Sequence, residues 1–142
     1  MILVDANLLL YAKVADLPQH GRVVRWFEES VRSGMRVGLP WPSLLGFVRI
    51  ATNSRVFARP LSTGDAWGQV EEWLDLPGIW VPQPTEQHGR VVSELLLGAN
   101  AGSNLVPDAH LAAIAIEHGL EIYSTDADFA RFPGVRWRNP LL

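Results

Sequence analysis

The sequence predicts an α/β fold in which helices cover both faces of a central, mainly parallel sheet. Short apolar runs, Ile2-Leu3-Val4, Val37-Gly38-Leu39 and Ile79-Trp80-Val81, alternate along the chain with longer stretches of helical periodicity. The runs are apolar throughout rather than every second residue, as expected of strands buried on both faces. No internal repeat, low-complexity run or long linker interrupts the alternation, so residues 1–142 read as a single domain.

Each element follows from local chemistry. Ile2–Val4 is a short buried strand and Asn7–Ala15 continues as a helix. Pro18-Gln19-His20 opens a second helix, whose inner face is Val23, Val24, Phe27 and Val31 and whose stop is Gly34. Val37–Leu39 is the next strand. It leads into a helix that Ser43 could cap, with Leu44, Phe47, Val48 and Ala51 on the buried side. Ser62 caps a helix bearing Ala66, Val70, Trp73 and Leu74, which Pro77-Gly78 ends. Ile79–Val81 is a strand, and Thr85 is expected to cap a helix through Leu97. The Gly98–Asn104 segment reads as a flexible connection. Pro107 then starts a helix over Asp108–His118 that Gly119 stops. Leu120–Tyr123 is the last strand expected, followed by the acidic turn Ser124-Thr125-Asp126-Ala127-Asp128-Phe129.

Composition narrows the function. The chain is 48% hydrophobic and 19% charged and holds no apolar run near the ~18 residues that cross a bilayer, so no membrane role is expected. The opening Met1–Asp5 lacks a basic leader and meets a carboxylate after four residues, unlike a secretory signal. The absence of cysteine rules out disulfides and thiolate metal sites and suits a reducing, cytoplasmic setting. With a net charge of −3 the chain is no polycation, and any nucleic acid would be held by a local basic patch or through metal ions.

In an open parallel sheet, ligands bind beyond the carboxyl ends of the strands. Asp5 ends the first strand, Asp126 and Asp128 follow the strand ending at Tyr123, and Asp108 opens a helix whose dipole favours an anion. Taken singly, each has an ordinary role: helix cap, first-turn acid or Asx turn. Their convergence on one rim points elsewhere. Clustered carboxylates repel and call for a hard divalent cation, and Mg²⁺ held by a few carboxylates suits phosphodiester chemistry.

The order and spacing of four segments carry a resemblance that spans essentially the whole chain: MILVDANLLLYA, GLPWPSLLGFVRIATNSRVF, NLVPDAHLAAIAIEHG and STDADFARFPGVRWRNPL. Together they resemble PIN-domain proteins, in particular the VapC-type toxin ribonucleases of bacterial toxin–antitoxin pairs. The resemblance implies a PIN-like three-layer α/β/α fold and Mg²⁺-dependent (or Mn²⁺-dependent) endoribonuclease activity on RNA. It also implies a neutralising VapB-type antitoxin, a homodimer and a toxin–antitoxin hetero-oligomer. Asp5, Asp108 and Asp126 would be the metal ligands, with Asp128 an auxiliary or outer acid of the catalytic set. Asn7 and Ser124 would orient ligands or water, and Arg49 and Arg55 could hold RNA phosphates, although solvated arginines look the same in a sequence.

One position departs from the pattern. Similar proteins carry a glutamate in the helix after the second strand, and this chain has Gly46, at an interior helical position where glycine costs roughly 1 kcal/mol relative to alanine. Glu28, Glu29, Glu71 and Glu94 lie on other helices and offer no obvious substitute. Three explanations stand: a natural member that binds without cutting, one that cuts with fewer acids, or a deliberately disarmed variant. A non-catalytic PIN module that binds RNA or antitoxin is therefore the second function class, and a phosphatase or DNA nuclease on similar acids a third. Among the remaining residues, His20, His88, His110 and His118 lack zinc-site spacing, His110 reads as a surface or packing residue, and Trp26, Trp67, Trp73 and Trp80 suit core or dimer packing better than base stacking.

Overall fold

The computed structural model describes all 142 residues. Five short strands, β1 (Ile2–Val4), β2 (Val37–Gly38), β3 (Ile79–Trp80), β4 (Glu121–Tyr123) and β5 (Trp137–Arg138), form one sheet in the order β3-β2-β1-β4-β5. Every pairing is parallel, which sharpens the expected mainly parallel sheet. Parallel neighbours need crossovers; α1 (Ala6–Lys13), α2 (His20–Arg32), α3 (Trp41–Ala51), α4 (Thr63–Leu74), α5 (His88–Gly98) and α6 (Val106–His118) supply those up to β4, and a 3-10 turn over Ala127–Arg131 lies between β4 and β5.

The pleat of β1 divides the interior. Ile2 and Val4 point into a core built with Leu8, Leu9, Val23, Phe27, Leu44, Phe47, Val70 and Trp73, so α1–α4 cover that face. Leu3 points the other way, to a core of Val91, Leu95, Ala109, Ala112, Ile114, Ile122 and Phe129 beneath α5 and α6. The result is three layers. The small side chains on α6, four of them fully or nearly fully buried alanines, leave room for that helix to lie close to the sheet.

Several local expectations are revised. Ser43 does not cap α3: the helix starts two residues earlier at Trp41, after Pro40, with Pro42 in its first turn. Proline there has no N–H to satisfy and a φ already suited to a helix, so no side-chain cap is required. Thr85 does not cap α5 either, since that helix begins at His88 after Gln87. The first helix starts at Ala6 and stops at Lys13, because Asp5 caps it. The expected connection Gly98–Asn104 instead completes α5 and leads into a 3-10 turn over Ser103–Leu105. Ser62 does cap α4, its Oγ accepting from the Asp65 N–H, and Gly34 and Gly119 close α2 and α6 with φ of +78° and +69°.

Candidate active site

Asp5 sits at the carboxyl end of the central strand, where its backbone N–H donates to the Tyr123 carbonyl (3.0 Å) and so ties β1 to the end of β4. Its Oδ1 accepts from the Ala6 N–H at 2.7 Å, capping α1. Its Oδ2 accepts from the Ser124 hydroxyl at 2.7 Å and from Asn7 Nδ2 at 3.4 Å. Ser124 is fully buried and acts as the hub: besides donating to Asp5, its Oγ accepts from Asn7 Nδ2 (3.2 Å) and from the Asp126 N–H (3.0 Å). The structure thus brings Asn7 and Ser124, which the resemblance implies would orient ligands or water, to Asp5.

Asp126 caps the 3-10 turn Ala127–Arg131, with its Oδ1 accepting from the Asp128 N–H at 2.9 Å. This Asx turn aims both carboxylates the same way. On the facing element, Asp108 occupies the first turn of α6. One carboxylate oxygen each from Asp108, Asp126 and Asp128 lies within 4.8 Å of the others, a spacing able to hold a metal ion. Asp128 therefore stands among the closest-grouped acids rather than at the periphery, while Asp5, committed to its cap and to Ser124, stands behind them. The signal in the sequence was the Asp-x-Asp spacing itself.

Electrostatics agree with this geometry. Burial, then the charges of Asp126, Asp5 and Asp128, push Asp108 up to about 6. Asp5 is also raised, chiefly by burial, against the opposing bonds from Ser124 and Ala6 and with a further push from Asp126. Carboxyl groups crowded in this way form a candidate site for a cation, whose charge would offset what burial and proximity cost.

Arg49 and Arg55 are both exposed, on α3 and in the turn after it, and no contact joins them to the acids. No glutamate replaces the one expected at Gly46. The glycine has a packing role: a Cβ built on it would stand 3.0 Å from the Ala6 Cβ, where α3 crosses the first turn of α1. His110 is not a plain surface residue. Its Nδ1 shares a hydrogen with His88 Nε2 at 2.8 Å, and His88 Nδ1 meets Glu117 at 2.6 Å.

Comparison with known proteins follows the same lines. The family model of the PIN domain matches residues 2–135. Ribonuclease VapC33 of Mycobacterium tuberculosis is 44% identical over 141 residues, covering 99% of each chain, and Ribonuclease VapC37 of the same species is 44% identical over 140, covering 99% of this chain and 97% of that one. Among solved structures, the VapBC2 complex of Rickettsia felis bound to a promoter DNA fragment superposes with a TM-score of 0.71 at 14% identity over 98% of both chains. The sarcin-ricin loop cleaving toxin VapC20 of M. tuberculosis gives 0.69 at 19% identity over 96% of this chain and 99% of that one. Those low-identity neighbours carry the fold; the family rests on the profile and the close relatives, and by both the chain belongs to the PIN-domain family, within its VapC-type ribonuclease branch.

Proposed function

We propose that the chain is a Mg²⁺-dependent endoribonuclease toxin, acting in the cytoplasm and neutralised by a VapB-type antitoxin. The observation that carries the reading is the meeting of Asp108, Asp126 and Asp128 at the carboxyl rim, backed by the anchored Asp5. The ribonuclease names of the close relatives and the VapBC toxin–antitoxin member among the structural neighbours support it. A homodimer and a hetero-oligomer with antitoxin belong to the same reading.

Asp108, Asp126 and Asp128 would hold the cation directly, Mn²⁺ substituting for Mg²⁺, as hard oxygen ligands without nitrogen or sulfur. When bound, such an ion lowers the pKa of a coordinated water and neutralises charge on the phosphate. The protein's own part is positioning. Ser124 fixes the orientation of Asp5 and, through the Asp126 N–H, the start of the acidic turn, so one hydroxyl sets two acids. Asn7 adds a second donor to Asp5. Asp108 has to lose its proton to serve, so metal affinity is expected to weaken as the solution is acidified below about pH 6.

The alternative, a module that binds RNA without cutting it, drew its support from Gly46. The close approach to Ala6 gives the glycine a packing explanation beside the functional one, since a Cβ there would stand 3.0 Å from the Ala6 Cβ. The deciding experiment is cleavage of total RNA in Mg²⁺ or Mn²⁺, with EDTA and Asp108→Asn as controls. Metal-dependent cutting lost in Asp108→Asn is expected; RNA binding without cutting in either metal would establish the non-catalytic module instead.

A further inference from the structure

A second feature lies at the β4–β5 edge of the sheet, beside α2. There a pocket of about 510 Å³ is walled by Trp26, Tyr123 and Trp137, with Arg138 and Asn139 at its polar side. Trp26, from α2, stacks on Tyr123 with ring centroids 5.2 Å apart and planes 17° from parallel. Trp137 is fixed by its indole N–H, which donates to the Ser124 carbonyl at 3.0 Å. The same residue whose hydroxyl orients Asp5 thus anchors the pocket's wall, and Tyr123 is its immediate neighbour in β4. The floor is held from α2 as well, where Arg22 donates to the Leu141 carbonyl.

The lining is chemically selective. Aromatic rings beside an arginine and an amide are the means by which proteins take up unstacked bases. Asn139 Oδ1 already accepts from the Leu141 N–H, which leaves the amide nitrogen to donate to a ligand. Arg138 is 65% exposed and only loosely paired, its Nε 3.5 Å from Glu121. That carboxylate offsets the arginine's charge, so the pocket is poor for a phosphate and better matched to a neutral heterocycle with acceptors on its edge. An apolar helix from a protein partner would leave the arginine and the amide unanswered.

We propose that this pocket is a base subsite: a nucleobase of single-stranded RNA, flanking the phosphate at the acids, inserts against the Trp26, Tyr123 and Trp137 rings with its edge toward Arg138 and Asn139. The assignment rests on the ribonuclease reading for its substrate class. It gives Trp26 a part beyond the packing role expected from the sequence, and it makes the subsite a determinant of which RNA is accepted.

The test is binding and cleavage of a short mixed-sequence single-stranded RNA by the full chain, followed by tryptophan fluorescence and by product formation in Mn²⁺. Tyr123→Leu removes the stacking surface while keeping an apolar side chain. Arg138→Gln removes an exposed charge that the fold does not need, and Arg90→Gln, on α5, is the charge-matched control. The expected result is RNA-dependent quenching in the wild type, Kd and KM raised about tenfold by Tyr123→Leu and several-fold by Arg138→Gln, kcat nearly unchanged, and no effect of Arg90→Gln. The subsite is overturned if the wild type binds and cuts while both pocket variants match it, or if they lose only affinity for an antitoxin peptide. Quenching with the expected variant pattern but no cleavage in any metal would sink the nuclease reading and leave the subsite standing; neither binding nor cleavage would sink both.

Discussion

Gly46 and Ala6 meet so closely that a Cβ on the glycine would stand 3.0 Å from the alanine's own. Ala6 directly follows Asp5 and donates its N–H to that carboxylate, so it is poorly placed to retreat. A methyl at position 46 sets about 1 kcal/mol of helix propensity against an overpacking cost of about 1–3 kcal/mol. We expect Gly46→Ala to lower stability by about 1 kcal/mol, and Gly46→Ala combined with Ala6→Gly to be more stable than the two single losses summed. Urea denaturation of the four proteins measures the coupling, and strict additivity would mean that α1 and α3 do not constrain each other here.

Asp108 makes the metal-free protein sensitive to pH. Its carboxyl is raised from 3.8 to about 6, so folding favours the neutral form. Its contribution to stability is complete below pH 3.8 and is lost as pH rises through about 6. Discounted for the solvent that reaches this half-buried group, the loss is about 1 kcal/mol. Melting curves of Asp108→Asn in EDTA should therefore show a protein more stable than the wild type at pH 8 and indistinguishable from it at pH 4. Adding Mn²⁺ at pH 8 should raise the wild-type Tm and leave the variant's where it was; a variant as metal-responsive as the wild type would remove Asp108 from the ligand set.

Replacing Ser124 tests whether one hydroxyl organises the site. Ser124→Ala leaves Asp5 Oδ2 with only the longer bond from Asn7, and it strands the Asp126 N–H. A cost of about 1–3 kcal/mol to stability is expected, together with a 10–100-fold loss of Mn²⁺ affinity by calorimetry, in line with roughly what outer partners of metal ligands contribute elsewhere. Unchanged affinity would show that Asp5 needs no help to hold its pose.

Towards the other end of α6 from Asp108, the Glu117 side chain is 1% exposed. Burial pushes its carboxyl up, but the bonds from Thr85 and His88 outweigh this and hold it below the ordinary 4.5. A lowered carboxyl contributes stability that is present above 4.5 and vanishes as pH falls through the folded value. Glu117→Gln should consequently cost about 1–3 kcal/mol at neutral pH, with the deficit shrinking as the solution is taken to pH 3. A deficit that stays constant with pH would assign the effect to shape rather than charge.

How far the sequence carried can be seen in particular residues. Continuous apolar runs identified three of the strands, β4 was read from Leu120–Tyr123 despite Glu121, and glycines 34 and 119 marked helix ends because only a left-handed residue fits there. β5 escaped because Trp137 stands between Arg136 and Arg138 at the edge of the sheet, leaving no apolar run to detect. Ser43 and Thr85 misled for a common reason: cap chemistry is local, whereas α3 is started by its prolines and Thr85 turns its hydroxyl to Glu117 thirty-two residues away, at 2.6 Å. The acids converged as expected because strand ends share a rim. Their ranking did not follow from spacing, since the hydrogen bonds that commit Asp5 come from Ser124, distant in the chain. Gly46 was legible as an anomaly and not as a contact, because Ala6 lies on another helix.

The strand order also sets a timetable for synthesis. β1, the first strand made, takes its neighbours from opposite parts of the chain, β2 at Val37 and β4 at Glu121. Until the ribosome has released the segment through Asp128, Asp5 has neither the Ser124 hydroxyl nor the three acids it backs. In a chain made from its amino end, the acid site is thus among the last features to be assembled, since strand β1 must wait for its second neighbour and for the turn that carries Asp126 and Asp128.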